Sequence, residues 1–117
     1  MIYHAVFHID RDDAEPLTIA LTNVANLIHA IPEKHYDLVV LFNGPAVKLL
    51  QSEQCAASHR EEIQRLQRVR VSVKVCRNAL NRFAISPDSL IGGCEIVPAG
   101  IVTLIELQRG GYAYIKP

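Results

Sequence analysis

The chain has 117 residues, 50% hydrophobic and 21% charged, with twelve Lys and Arg balanced by twelve Asp and Glu. That length suits one globular domain, residues 1–117, whose core needs no staples. Zero formal net charge, with no clustered excess of Lys and Arg, argues against direct binding to nucleic acid or an anionic membrane.

The chain reads as strands and helices in alternation. Ile2 to Ile9 is a short apolar run of β-branched and aromatic residues, a strand buried on both faces. Asp10 to Asp13 breaks it, and Asp12 or Asp13 caps a helix with Glu15 and Pro16 in its first turn. Leu17, Ala20, Leu21, Val24, Ile28 and Ile31 then form one apolar stripe, and Pro32 stops the helix. Asp37 to Phe42 is a second buried strand, turned by Asn43, Gly44 and Pro45 into a short helix over Ala46 to Leu50. Ser52 to Ala57 is a loop carrying Cys55, and Ser58 with Glu61 has the capping-box spacing for a helix running to about Arg68.

The segment Arg70 to Ala84 organises the rest. Val71, Val73 and Val75 alternate as in a strand that ends in Cys76, and Arg77 and Asn78 open an amphipathic segment with Ala79, Leu80 and Phe83. A thiol is thus delivered to the start of a helix. Unpaired helix N–H groups and the adjacent Arg77 favour the anionic form of its sulfur, the form that attacks electrophiles. The competing account is a buried cysteine acting as a small hydrophobe.

Beyond it, Ser86 and Pro87 start a short turn through Ile91, ended by Gly92 and Gly93. Cys94 to Val97 is a brief strand, and Ala99 to Gln108 a helix with Ile101, Leu104 and Ile105 on one face. Gly110 is expected to end it in the left-handed conformation, before a last strand from Tyr112 to Ile115. Such alternation predicts an α/β fold: a three-layer α/β/α sandwich around a mainly parallel five-stranded sheet, its strand order undetermined. Working surfaces of such sheets lie beyond the carboxyl ends of the strands. Cys76, Asn43 and the residues from His8 to Asp10 all fall there.

Other constellations carry less. His4 and His8 share a strand face but lie roughly 13 Å apart at strand rise, too far to hold one metal. No histidine pair has a ligand spacing joined to cysteine or carboxylate, so neither a metal nor a cofactor is expected. The Asn43–Gly44–Pro45 turn sits where a phosphate loop would, without GxGxxG or the P-loop lysine. Asp10, Asp12 and Asp13 are explained by capping and a solvated turn. Three cysteines, an odd number without CxxC, argue against a disulfide framework and for a reducing compartment. The N-terminal MIYHAVFHIDRDD is unlike a signal peptide, and no apolar run approaches the roughly 18 residues that span a bilayer, so a cytoplasmic protein without membrane contact is expected. Cys55 is a candidate resolving thiol for Cys76.

The segments VKVCRNAL, ISPDSLIGG and VPAGIVTLIELQRGGYAYIKP, with a first strand feeding an acidic turn, resemble the DsrE/DsrF-like family of small α/β proteins. The resemblance covers nearly the whole chain and is most specific from Val71 onward. It implies a sulfur carrier. In the relay members of the family a cysteine at the end of the third strand receives sulfane sulfur and passes it on as a persulfide, and Cys76 matches that position. Arg77 would stabilise the thiolate and Asn43 would donate a hydrogen bond to the sulfur, with Asn78, His8 and Gly44 as further binding residues. Sulfur donor and acceptor proteins are the implied partners, and a homo-oligomer, trimer or hexamer, the implied assembly. RNALNRF after the cysteine is closer to the uncharacterised branch than to the thiolation subunits. The alternatives are a non-catalytic oligomeric interaction module, or a binder of a small anionic ligand, with the same fold.

Overall fold

The computed structural model describes residues 1–32 and 35–117. Its elements follow the apolar pattern: β1 (Tyr3–Ile9), α1 (Ala14–Ala30), β2 (Tyr36–Phe42), α2 (Ala57–Arg68), β3 (Ser72–Cys76), α3 (Arg77–Arg82), β4 (Cys94–Val97), α4 (Gly100–Arg109) and β5 (Ala113–Ile115). Gly44–Leu50 and Pro87–Ser89 are 3-10 turns. Asp13 caps α1, its carboxylate accepting the Glu15 N–H at 3.1 Å, and Ser86 accepts from the Asp88 N–H at 3.3 Å.

The five strands form one sheet in the order β4-β3-β2-β1-β5, and every neighbouring pair is parallel. From β1 to β4 each step moves the same way across the sheet, so right-handed crossovers put their connections on one face. There Leu17, Leu21 and Val24 of α1, Ile63 and Leu66 of α2 and Leu80 of α3 pack on Phe7, Val40, Phe42 and Val75. The step from β4 to β5 returns across the whole sheet. It therefore carries α4 over the opposite face, where Leu104 packs on Val6, Val39 and Leu41. Three layers result, one thick and apolar, the other a single helix.

Two expectations about helix ends are corrected. Ser58 does not cap α2: the helix starts two residues earlier than such a cap would set it, with Ala56 in the cap position and no side-chain cap bond. The loop before it is tied instead by the Arg60 guanidinium, which donates to the Ser52 carbonyl. Nor is Gly110 left-handed; its φ is −80° and the left-handed residue is Gly111, at φ 94°. The Gly111 N–H bonds to the Gln108 carbonyl and the Tyr112 N–H to the Leu107 carbonyl, which is the Schellman closure and requires positive φ one residue beyond the cap.

Candidate functional site

Alternation along β3 sends Val73 and Val75 into the thick core, and the strand ends on Cys76, which also serves as the N-cap of α3. The chain leaving β3 turns toward the face of α1 and α2, and the chain leaving β4 turns to the face of α4. Between two such strand ends a crevice opens, the usual ligand position in open α/β sheets. Cys76 stands on one side of it and Gly100, the first residue of α4, on the other.

The contact is direct. The Gly100 N–H donates to the Cys76 Sγ at 3.3 Å. A Cβ on Gly100 would lie 3.1 Å from the Asn43 Cβ, 3.2 Å from the Cys76 Cβ and 3.4 Å from the Asn43 Nδ2, so the close approach depends on the missing side chain. The sulfur therefore faces the N-terminus of α4 as well as the start of its own helix, and both ends favour negative charge. Cys76 is buried at 6% exposure, at the bottom of an open cleft of about 440 Å³ lined by Asn43, Gly44, Asn78, Arg82, Gly100 and Ile101.

The structure brings most of the predicted site residues together, with different parts for some. Arg77 is exposed and outside the cleft lining; Arg82 supplies the cation, four residues after Asn78 and on the same helix face. Arg82 and Lys48 both lie near the Phe83 ring, at 5.8 and 4.4 Å from its centroid, which holds α3 against the Gly44–Leu50 turn. Gly44 has φ 54°, and a Cβ there would meet the Asp10 carbonyl at 3.2 Å, so its place is to let two strand ends meet. His8 is 9% exposed and lies behind Asn43: its Nε2 is 2.7 Å from the Asn43 Oδ1 and its Nδ1 2.6 Å from the Tyr114 hydroxyl. Next along, Asp10 accepts from Lys116 at 2.7 Å, which holds its carboxyl below the usual range.

Cys55 and Cys94 are elsewhere. Cys94 starts β4 opposite Val73, at the far end of the strand from Cys76, and Cys55 is buried in the thick core. Burial pushes both thiols up, Cys94 to about 11 with the nearby Cys55 adding to the effect. Cys55 thus neighbours Cys94. At the opposite strand ends, Tyr112 packs edge-on to His4 with centroids 5.0 Å apart, and partial burial and the nearby Asp37 carboxylate push the phenol up to about 12. Among the described residues, no group of three His, Cys, Asp or Glu side chains is placed to hold a metal ion, and no helix is long and apolar enough to cross a membrane.

Gly100, Arg82 and Tyr114 escape a reading of the sequence alone. Arg82 had a signal, its spacing from Asn78. Gly100 had a weaker one, small residues at a strand-to-helix turn, whereas Tyr114 is 106 residues from His8 and only the pairing of β5 beside β1 joins them.

The DsrE/DsrF-like family model matches residues 4–117. Among solved structures, MTH1491 of Methanobacterium thermoautotrophicum, a protein of unknown function, superposes with a TM-score of 0.88 and 27% identity over 98% of this chain and 99% of its own. The ychN protein of E. coli superposes with a TM-score of 0.80 and 21% identity over the full length of both chains. No curated protein matches the sequence. With the family model spanning nearly the whole chain and the same all-parallel five-stranded fold, the protein belongs to the DsrE/DsrF-like family.

Proposed function

We propose that this protein carries sulfur as a persulfide on Cys76, receiving it from a donor protein and passing it to an acceptor. The observation that carries this reading is the Cys76 Sγ accepting the Gly100 N–H at the bottom of an open cleft, at the crevice between two strand ends that leave to opposite faces. Membership of a family known in general for sulfur relay supports it.

The step balances without a cofactor. The Cys76 thiolate attacks the terminal sulfur of a donor hydropersulfide, the donor S–S bond breaks, and the donor leaves as a thiolate. The new Cys76 hydropersulfide then loses its proton to solvent. Gly100 N–H and the Asn43 amide stabilise the charge on sulfur, Arg82 adds a cation at the cleft wall, and Asn78 and Gly44 shape the opening. Working on protein-borne sulfur in a reducing, cytoplasmic setting, as a trimer or hexamer of identical chains, completes the reading.

Loading with inorganic polysulfide, followed by alkylation and peptide mass analysis, tests it. Sulfur should add to Cys76, and Cys76→Ser should abolish loading without lowering the melting temperature appreciably. Equal loading of Cys55 or Cys94, or a Cys76→Ser variant that still takes up sulfur, would refute the assignment. A rival reading, an interaction module of the same fold, draws on the exposed apolar row Ile101, Val102 and Ile105 along α4; it predicts assembly without any loading.

A further inference from the structure

Four side chains stand in a row across four neighbouring strands at the carboxyl edge of the sheet. Tyr114 on β5 lies opposite Val6 of β1, His8 is two residues further along β1, Asn43 follows β2, and Cys76 ends β3. The first three are joined in a line by hydrogen bonds of 2.6 and 2.7 Å.

We propose that Tyr114 and His8 are positioning residues that lock the Asn43 amide with its N–H groups toward the sulfur on Cys76. This rests on the persulfide reading of Cys76 and adds to it the residues that set the polarity of the site. An amide oxygen only accepts, so the His8 Nε2 must carry the proton shared with the Asn43 Oδ1. In the neutral imidazole His8 Nδ1 is then bare and accepts from the Tyr114 hydroxyl. Direction runs one way, from Tyr114 through His8 to Asn43. A flipped Asn43 would set its N–H groups against the Nε2–H, a clash of donors inside a site where His8 is nine-tenths buried.

The backbone removes the other freedom. The Asn43 N–H bonds to the Ile9 carbonyl at 3.1 Å, which fixes the start of the side chain in register with β1. With Oδ1 committed to His8, Nδ2 is the part left facing Gly100, 3.4 Å from where a Cβ there would lie, a point that is 3.2 Å from the Cys76 Cβ. An outer sulfur on Cys76, reaching into the cleft that Asn43 also lines, would therefore meet a donor whose orientation is already set. Tyr114 matters although it is half-exposed on an edge strand, because its hydroxyl keeps His8 in the one tautomer that holds the amide.

The initial rate of persulfide formation at Cys76 from inorganic polysulfide tests this in five variants of the full chain. Asn43→Ala and His8→Phe should each slow loading about tenfold, the scale of one hydrogen bond to a charged group. Combined, they should be no slower than either alone, because His8 acts through Asn43. His8→Gln, which keeps an N–H near the position of Nε2, should stay within about twofold of wild type, and Tyr114→Phe should lose about threefold. Nitrogen-15 spectra of the wild-type imidazole at neutral pH should show a protonated Nε2 and a bare Nδ1 on His8. Additive losses, full-speed loading by His8→Phe or Tyr114→Phe, or a proton on Nδ1 would each overturn the proposal. If His8→Phe does not fold, the Tyr114→Phe rate and the tautomer carry the test. Absence of loading in the wild type would overturn the persulfide reading instead, and the tautomer would still decide the line.

Discussion

A hydrogen atom in place of a side chain at Gly100 lets α4 begin against Cys76 and Asn43. Both neighbours are anchored at strand ends, so a methyl group there must push backbone apart. Gly100→Ala should cost about 1–3 kcal/mol, as overpacking does, despite the better helix propensity of alanine. It should also slow alkylation of Cys76 by lengthening the bond from the Gly100 N–H; unchanged melting and unchanged alkylation would show that the contact is slack. The other two cysteines should behave oppositely. Burial raises both thiols, Cys94 to about 11, so at pH 8 each should alkylate slowly in the native protein and fast once it is unfolded. The sign for stability follows. Cys94 has its folded value above the ordinary thiol value of about 8.5, so its contribution is intact below that pH and is lost as pH rises toward about 11. Cys94→Ala should flatten the fall in stability over that window, measured by denaturant unfolding at several pH values.

Helix termination explains most of the differences at the level of elements. α2, α3 and α4 all end in the same Schellman closure, seen in the paired bonds from Arg70 and Val71 to Gln67 and Leu66, from Ala84 and Ile85 to Asn81 and Leu80, and from Gly111 and Tyr112 to Gln108 and Leu107. Only α4 has a glycine at the left-handed position. Arg70 and Ala84 take φ of 72° and 54° with side chains that disfavour it. Arg70→Gly and Ala84→Gly should each stabilise by about 0.5–1 kcal/mol, after allowance for the looser unfolded chain, and raise the melting temperature by about 3 °C. A drop in melting temperature would mean that these side chains make compensating contacts. Without glycine, neither end announces itself in the sequence, whereas the ends of α1 do, through Asp13 and Pro32.

Across the whole molecule, the two faces of the sheet are unequal. One is covered by α1, α2 and α3 and packs most of the buried side chains; the other is covered by α4 alone. The outer side of α4 carries Ile101, Val102 and Ile105 at 60%, 52% and 51% exposure, beside the cleft that Ile101 helps to line. Apolar surface gathered on one helix is costly to leave in water, and self-association is the expected outcome for a chain of zero net charge. Ile101→Ser with Ile105→Ser should shift the protein to smaller species in sedimentation velocity while the α/β circular-dichroism signature persists. A wild-type chain that sediments as a monomer at high concentration would reject this assembly.

What the sequence alone determined is local: periodic apolar stripes, a capped helix start, buried strand runs, and a cysteine at a strand-to-helix junction, each decided by neighbours within a turn or two. Alternation of those elements was enough for a parallel sheet in three layers, since short connections leave few other solutions. Strand order was beyond it, because hydrogen bonding between strands reaches across the chain and any apolar strand can pair with any other. Once β4 and β5 take opposite edges, α4 must cross the second face, Gly100 meets Cys76, and Tyr114 comes beside His8. The cysteine at a strand-to-helix junction was legible in the sequence; the Gly100 N–H on its sulfur and the hydrogen bonds that join Tyr114, His8 and Asn43 belong to tertiary structure, because residues 8, 43, 76, 100 and 114 share no local pattern and meet only through the order of the sheet.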